Sequence, residues 1–133
     1  MLLVDTSIWI EFFRRGKELY WYDPFLDRLK ADDVGVIRPV LTELLIGARS
    51  KAEQQAVVDL SLSLMICGIT TESWMEAGEL GRLWRSRGRT LSVTDCLLAT
   101  EARRAKAPLF TLDRDFDVLF DEGSIQRPTF FEG

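Results

Sequence analysis

Short apolar runs alternate with helix-like segments along the whole chain of 133 residues. Four runs are predicted to be strands, and they cover residues 2–4, 34–37, 64–69 and 109–112. Apolar residues recur at helical spacing between these runs. Strands that alternate with helices form a mostly parallel sheet with helices on both faces. The sequence therefore predicts an α/β fold of four to five strands, with a possible edge strand over 125–130.

The predicted helices have recognisable start and stop signals. Ser7 is predicted to cap a helix over 8–13 that ends near Gly16, and Thr94 to cap a helix over 95–106 that Pro108 terminates. Further helices are predicted over 22–30, from Pro39 onward, over 52–62, from Thr70 or Thr71 to near Gly88, and as a short turn over 116–120. Because no repeat or Pro/Gly-rich linker divides the chain, we expect a single domain over 1–133.

Histidine is absent from the chain, and this absence limits the available chemistry. It excludes Ser-His-Asp and Cys-His nucleophiles, histidine acid–base catalysis and every histidine-ligated metal site. A reaction carried out by this protein must use carboxylates, hydroxyls, Lys, Arg or a bound metal.

The two cysteines and the apolar runs indicate the compartment. Cys67 and Cys96 are far apart and form no Cys-x-x-Cys pair, which excludes a zinc ribbon or a thioredoxin-like site. Both are interpreted as small buried hydrophobic residues. A single disulfide between them is the alternative. No apolar stretch approaches the roughly 20 residues of a membrane span, and the first residues lack the basic region of a signal peptide. We therefore expect a cytoplasmic protein that does not contact a membrane.

Four acidic residues lie where predicted strands end or helices begin. Asp5 and Asp113 follow the first and fourth apolar runs, Glu43 lies early in the helix after the second run, and Asp95 opens the helix before the fourth. These positions share one edge of an open parallel sheet, where such folds bind ligands. An alternative is that each acid is an ordinary turn or N-cap residue, since Asp is favoured there.

A cluster of four carboxylates needs a positive counter-charge. Neighbouring carboxylates raise one another's pKa, and no Lys or Arg stands directly beside Asp5, Glu43 or Asp95 in the sequence. Oxygen ligands without histidine suit Mg²⁺ or Mn²⁺. Such an ion lowers the pKa of a bound water and stabilises the charge that develops in an in-line phosphoryl displacement.

Four short motifs resemble those of the PIN domain, in the same order and at approximately the same spacing. They are Asp5-Thr6-Ser7, Thr42-Glu43, Thr94-Asp95 followed by Leu98-Ala99, and the run from Thr111 to Phe116. The resemblance covers essentially the whole chain, and at this length it is greatest to the VapC-type toxins of toxin–antitoxin pairs. It implies a PIN-like three-layer sandwich and a metal-dependent endoribonuclease.

The resemblance also implies roles for individual residues. Asp5 and Asp95 would be direct ligands of one or two Mg²⁺ or Mn²⁺ ions. Glu43 would bind the metal or orient the attacking water, and Asp113 would complete the acidic cluster.

Three further residues would support that cluster. Asp115 is a weaker candidate, because family members often have an acid-Phe pair there that serves the structure. Ser7 and Thr111 would hydrogen-bond the carboxylates or the scissile phosphate.

The partners implied by the resemblance are an RNA substrate, a cognate VapB-type antitoxin and a second copy of the chain. Candidate RNA-phosphate contacts are Arg85, Arg87, Arg89 and Arg114, although solvated helix faces also explain such basic clusters. An aromatic group near the N-terminus is interpreted as core, with a groove for an antitoxin helix as the alternative. It comprises Trp9, Phe12, Phe13, Tyr20, Trp21 and Tyr22.

Other functions fit the sequence less well. A non-catalytic PIN-like module that binds RNA or protein remains the main alternative, and loss of an acid would have favoured it. A response-regulator receiver needs an acidic neighbour beside Asp5 and a Lys after the last strands, where this chain has Arg114. A haloacid-dehalogenase-type phosphatase needs Asp-x-Asp, where this chain has Asp5-Thr6-Ser7.

Overall fold

Four parallel strands form the centre of the molecule in a computed structural model, which describes residues 1–132. The strands are β1 (Leu2–Val4), β2 (Val34–Ile37), β3 (Met65–Cys67) and β4 (Leu109–Phe110). They lie in the order β3-β2-β1-β4, and every pairing is parallel. The predicted α/β class and parallel sheet are confirmed. Gly133, the last residue of the predicted single domain, lies outside the described residues.

Helices connect the strands and cover both faces of the sheet, as predicted. They are α1 (Thr6–Arg15), α2 (Tyr22–Lys30), α3 (Arg38–Gly47), α4 (Lys51–Ser63), α5 (Thr71–Ser86), α6 (Val93–Ala105) and α7 (Asp117–Asp121). Two 3₁₀ turns, Gly16–Glu18 and Arg114–Phe116, follow α1 and β4. The first, third and fourth helices contact one another, and α5 packs along α6. None of the helices among residues 1–132 combines the length and apolar character that a membrane crossing requires.

Two of the predicted helix caps are wrong. Ser92, not Thr94, caps α6, because its hydroxyl accepts a hydrogen bond from the Asp95 N–H at 3.1 Å and the helix begins at Val93. Ser7 lies inside α1, and its hydroxyl serves the site described below. One of the two candidate caps of α5 is confirmed, since the Thr70 hydroxyl accepts from the Ser73 N–H at 3.2 Å.

The predicted edge strand over 125–130 is also wrong, because this segment is irregular. One backbone hydrogen bond joins it to β4, from the Leu109 N–H to the Gln126 carbonyl at 2.9 Å. Pro128 has no N–H to continue such a ladder. Its neighbours instead pack aromatic side chains on the core: the Phe130 and Phe131 rings lie 5.1 and 5.0 Å from the Phe110 ring, centroid to centroid.

The aromatic residues near the N-terminus belong mainly to the core, as interpreted from the sequence. Trp9 and Trp21 are buried, and Phe12, Phe13 and Tyr22 pack against the core while partly exposed. The exception is Tyr20, which is 65% exposed. An antitoxin groove in this region stays a prediction.

The two cysteines are free thiols. Cys96 is buried, as predicted, and Cys67 is only partly buried. Burial raises the pKa of both thiols, so neither has the thiolate character of a reactive cysteine.

Candidate active site

The site begins at the carboxyl ends of two neighbouring strands. The chain proceeds outward from β1 to β2 and β3 and then returns to place β4 on the other side of β1. Ligands of open parallel sheets bind where the strand order reverses in this way. Asp5 directly follows β1, and Asp113 follows β4 after two further residues. The Asp5 N–H donates to the Phe110 carbonyl at 2.9 Å, which holds the two strand ends together.

Two hydroxyl groups hold the carboxylate of Asp5, which is 5% exposed. Ser7 Oγ and Thr111 Oγ1 both donate to Asp5 Oδ2, at 2.9 and 2.8 Å. The second oxygen, Oδ1, receives no side-chain hydrogen bond among residues 1–132. The two hydroxyls thus orient the carboxylate and leave one oxygen for another ligand.

The same hydroxyls position the loop after β4. Ser7 Oγ accepts a hydrogen bond from the Leu112 N–H at 3.0 Å, and Thr111 Oγ1 accepts from the Asp113 N–H at 2.9 Å. Each hydroxyl therefore connects the Asp5 carboxylate to the backbone that carries Asp113. This is the arrangement of second-layer groups that orient the ligands of a metal.

Three other carboxylates meet beside Asp5. One oxygen each of Asp95, Asp113 and Asp115 lies within 4.8 Å of the others. Asp113 also forms the turn suggested as its alternative role, because its Oδ1 accepts from the Asp115 N–H at 2.9 Å. That turn brings Asp115, the weaker candidate from the sequence, into the group.

Glu43 stands apart from this three-carboxylate group, and its position in the site remains a prediction. Thr6 Oγ1 donates to Glu43 Oε1 at 2.7 Å, which ties the α3 carboxylate to the residue after Asp5. Thr6 is not among the residues predicted for the site, although its hydroxyl directly beside Asp5 in the sequence is a usable signal.

Two of the site carboxyls, those of Asp5 and Asp95, have raised pKa values. Burial is the main cause for Asp5, whose pKa is raised despite the two hydroxyl hydrogen bonds, and the charge of Asp113 adds to it. Burial also raises the pKa of Asp95 to about 6, with smaller contributions from the charges of Asp5 and Asp113. These carboxylates repel one another in a poorly solvated place.

Acids elsewhere in the chain show the opposite behaviour. The N-terminal ammonium and Arg28 lower the pKa of Asp33, and Arg14 lowers that of Glu53. By contrast, no Lys, Arg or terminal amine among residues 1–132 forms an ion pair with any of the five site acids, which are Asp5, Glu43, Asp95, Asp113 and Asp115. The site is thus acidic and uncompensated, and a hard divalent cation is the counter-charge that its oxygen ligands suit.

The four candidate RNA-binding arginines are all exposed. Arg85 lies in the last turn of α5, and Arg87 and Arg89 lie on the loop that leads to α6. The guanidinium of Arg114 is 93% exposed and 3.7 Å from Asp117. Contact of these arginines with RNA stays a prediction.

Removing the Ser7 hydroxyl tests its positioning role. We expect Ser7→Ala to weaken divalent-metal binding about 10- to 100-fold, because Asp5 and the Leu112 backbone lose their common partner. Isothermal titration with Mn²⁺ measures this change. Ser63→Ala, which removes an exposed hydroxyl at the end of α4, is the control. Equal affinities of the Ser7 variant and wild type would contradict the role.

The fold and the site together define a class of protein: a parallel α/β domain with an uncompensated acidic pocket where its strand order reverses. The chain belongs to the PIN domain family, whose family model matches residues 2–119. The resemblance noted in the sequence is therefore confirmed at the level of the family.

Individual relatives extend over nearly the whole chain. Ribonuclease VapC11 of Mycobacterium tuberculosis is 28% identical, and the match covers 98% of this chain and 99% of that protein. Among solved structures, VapBC2 of Rickettsia felis bound to a promoter DNA fragment is similar in fold, with a TM-score of 0.76, 21% identity and 96% of each chain covered. The sarcin-ricin loop cleaving toxin VapC20 of Mycobacterium tuberculosis has a TM-score of 0.69 and 23% identity, over 96% of this chain and all of that one.

Proposed function

We propose that this protein is a metal-dependent endoribonuclease that acts as the toxin of a VapBC-type toxin–antitoxin pair. The observation that carries the proposal is a group of carboxylates at the sheet's switch point, which ranges from the buried Asp95 to the exposed Asp115. Among residues 1–132, no Lys, Arg or terminal amine forms an ion pair with this group. Such a group binds no phosphodiester by itself, because it repels the phosphate. With a divalent cation it becomes a site for phosphate chemistry.

The donor set fits Mg²⁺ or Mn²⁺. The oxygens of Asp95, Asp113 and Asp115 are close enough to ligate one ion. Asp5 interacts with the charges of Asp95 and Asp113, and its Oδ1 has no side-chain hydrogen bond among residues 1–132. We propose Asp5, Asp95 and Asp113 as ligands, with Asp115 as a further oxygen. When bound, the ion supplies a counter-charge for the phosphate and a water of lowered pKa.

The protein's own groups then have distinct tasks. Ser7 and Thr111 orient the Asp5 carboxylate and keep the β4 loop in place. Glu43, held by Thr6, is proposed to accept a proton from the attacking water or to bind metal. The cluster needs no histidine, in agreement with the composition of the chain.

The relatives support the toxin assignment and the partners. The relative VapC11 is named a ribonuclease, and the structural neighbour VapC20 is a sarcin-ricin loop cleaving toxin. The structure from Rickettsia felis contains a VapBC complex, which supports a VapB-type antitoxin as partner here. We propose RNA as the substrate, a homodimer as the assembly and the cytoplasm as the location.

A cleavage assay tests the proposal. Purified protein is incubated with structured and unstructured RNA in Mg²⁺, in Mn²⁺ and in excess EDTA. We expect internal cleavage with either metal and none in EDTA. Metal-independent cleavage contradicts the mechanism, and RNA binding without cleavage favours the non-catalytic module.

The raised pKa of Asp95 makes a separate prediction about stability. Its carboxyl has a pKa near 3.8 in the unfolded chain and about 6 in the folded protein. The contribution of this carboxyl to the free energy of unfolding is therefore complete below pH 3.8 and is lost as pH rises through 6. Without metal, the free energy of unfolding of wild type relative to Asp95→Asn should fall by on the order of 2–3 kcal/mol from pH 4 to pH 7.

Urea unfolding in EDTA measures this difference. Adding Mn²⁺ at pH 7 should restore stability to wild type and less to Asp95→Asn, since the ion binds the folded state. A difference between the two proteins that does not change with pH would contradict the prediction.

A further inference from the structure

A cavity of about 400 Å³ lies between α5 and α6, next to the candidate active site and separate from it. One wall is a single face of α5, on which Trp74, Gly78, Gly81 and Arg85 follow one another at helical spacing. The other wall comes from the loop 87–92 and the start of α6. None of the proposed catalytic acids lines this cavity.

The two glycines of α5 explain why the space is open. A Cβ at Gly81 would lie 3.1 Å from Cys96 Sγ, so this glycine lets the two helices approach closely. A Cβ at Gly78 would meet nothing within 4 Å. Gly78 therefore leaves part of the α5 wall without a side chain. A larger residue at this position would fill the cavity.

The α5 wall of the cavity includes a partly exposed aromatic side chain, Trp74. Trp74 is 47% exposed, whereas Trp9, Trp21 and Trp84 are at most 5% exposed. Exposed aromatic rings in nucleic-acid-binding proteins stack on unpaired bases, and this interaction tolerates any base.

The rim of the cavity is strongly basic. Arg82 and Arg85 line it, and Arg87 and Arg89 lie on the adjoining loop. Among residues 1–132, only Arg82 of these four has an acidic partner, Glu79 at 3.4 Å. The chain has a net charge of −4, yet these four arginines form a local positive cluster, and three of them have no acidic partner among residues 1–132. Such a cluster is complementary to a polyanion.

The cavity and the acids share the first turn of α6. Val93 and Cys96 line the cavity, while Asp95 joins the acid group. A helix with its side chains is about 10–12 Å across. That distance corresponds to about three stacked nucleotides at ~3.4 Å each. A single RNA strand can therefore reach both places at once.

We infer that this cavity binds an unpaired base of the RNA, a few nucleotides from the scissile phosphate. Trp74 stacks on the base, and Arg85 with the neighbouring arginines contacts the flanking phosphates. The inference rests on the proposed function and deepens it: the substrate is single-stranded or looped RNA, because a paired base cannot enter the cavity.

Steady-state cleavage of a single-stranded RNA tests the inference. We expect Trp74→Ala and Gly78→Leu to raise KM about tenfold or more while kcat stays within about threefold of wild type, because stacking contributes to binding. Trp74→Phe keeps a stacking ring and should lie close to wild type. Leu83→Ala is the control, since Leu83 is equally exposed on α5 but does not line the cavity.

A binding measurement separates this inference from the proposed function. Because the other tryptophans are buried, quenching of fluorescence by short single-stranded RNA reports on Trp74. The measurement uses the Asp95→Asn protein, because it should leave the RNA intact. We expect single-stranded RNA to quench its fluorescence and duplex RNA not to. Adding Gly78→Leu to this protein should abolish the quenching. Leu at position 78 is also a better helix former than Gly, so the fold should survive.

The outcomes are distinct. The wild type could cleave RNA while Trp74→Ala and Gly78→Leu both keep the wild-type KM. That result overturns the inferred base-binding site and leaves the proposed nuclease function intact. Quenching without any metal-dependent cleavage supports the base site and overturns the nuclease. Conversion of a dimer to a monomer by Gly78→Leu in sedimentation would instead make the cavity an interface between copies, and would overturn the inference.

Discussion

Replacing Asp95 by Asn is expected to lower Mg²⁺- or Mn²⁺-dependent RNA cleavage about a thousandfold or more. The substitution keeps the shape of the side chain and removes one of three carboxylates whose oxygens lie within 4.8 Å of one another. The remaining pair, Asp113 and Asp115, is more exposed and holds a cation less tightly. Single-turnover cleavage at saturating metal measures the loss, and Asp5→Asn should match it.

The fold should survive both substitutions. Neutralising a buried carboxylate with a raised pKa removes charge repulsion, so we expect Asp95→Asn to unfold at a temperature equal to or above that of the metal-free wild type at pH 7. Asp121→Asn, at the exposed end of α7, is the matched control and should cleave at the wild-type rate. Full activity in Asp95→Asn would refute the metal site.

Replacing Phe110 by Ala is expected to destabilise the protein by about 3–5 kcal/mol, the largest effect on stability among the changes considered. Phe110 is completely buried in β4, and its ring lies 5.0–5.4 Å from those of Trp21, Phe25, Phe130 and Phe131. The cavity left behind would loosen the aromatic cluster that holds the irregular segment over 125–130 against the sheet.

Urea unfolding with matched controls measures this effect. Phe110→Leu leaves a smaller cavity and should cost clearly less than Phe110→Ala. Tyr20→Ala, which removes an exposed ring stacked on Phe131, should cost less than about 1 kcal/mol. A loss below 1 kcal/mol in Phe110→Ala would contradict the central place of this ring.

The grouping of the candidate acids shows the limits of sequence reasoning. Asp115 was the weaker candidate, yet the turn that Asp113 caps brings it into the three-carboxylate group. Two of the four main candidates, Asp5 and Glu43, lie outside that group. Thr6 holds the Glu43 carboxylate, and Ser7 and Thr111 hold that of Asp5. Which acids form the three-carboxylate group is not a local property of the sequence, because it depends on how the loop after β4 and the start of α3 approach β1.

Several elements could be predicted because their signals are local. Buried strands show as apolar runs, and helices show through spacing, Pro39 and the Thr70 cap. Predictions failed where a side chain or backbone had two possible partners. The Ser7 hydroxyl bonds Asp5 and the Leu112 N–H instead of capping α1, and the segment over 125–130 packs its aromatic rings rather than extending the ladder.

The sequence by itself limited the chemistry: without histidine, a reaction here must use carboxylates, hydroxyls, Lys, Arg or a bound metal, and the acids after the strands favour a carboxylate site. Only the tertiary structure decided which acids meet. Thr111 lies 106 residues from Asp5, yet its hydroxyl is 2.8 Å from the Asp5 carboxylate. The physical reason is strand order: the return of the chain places β4 beside β1, and parallel pairing aligns their carboxyl ends at one edge.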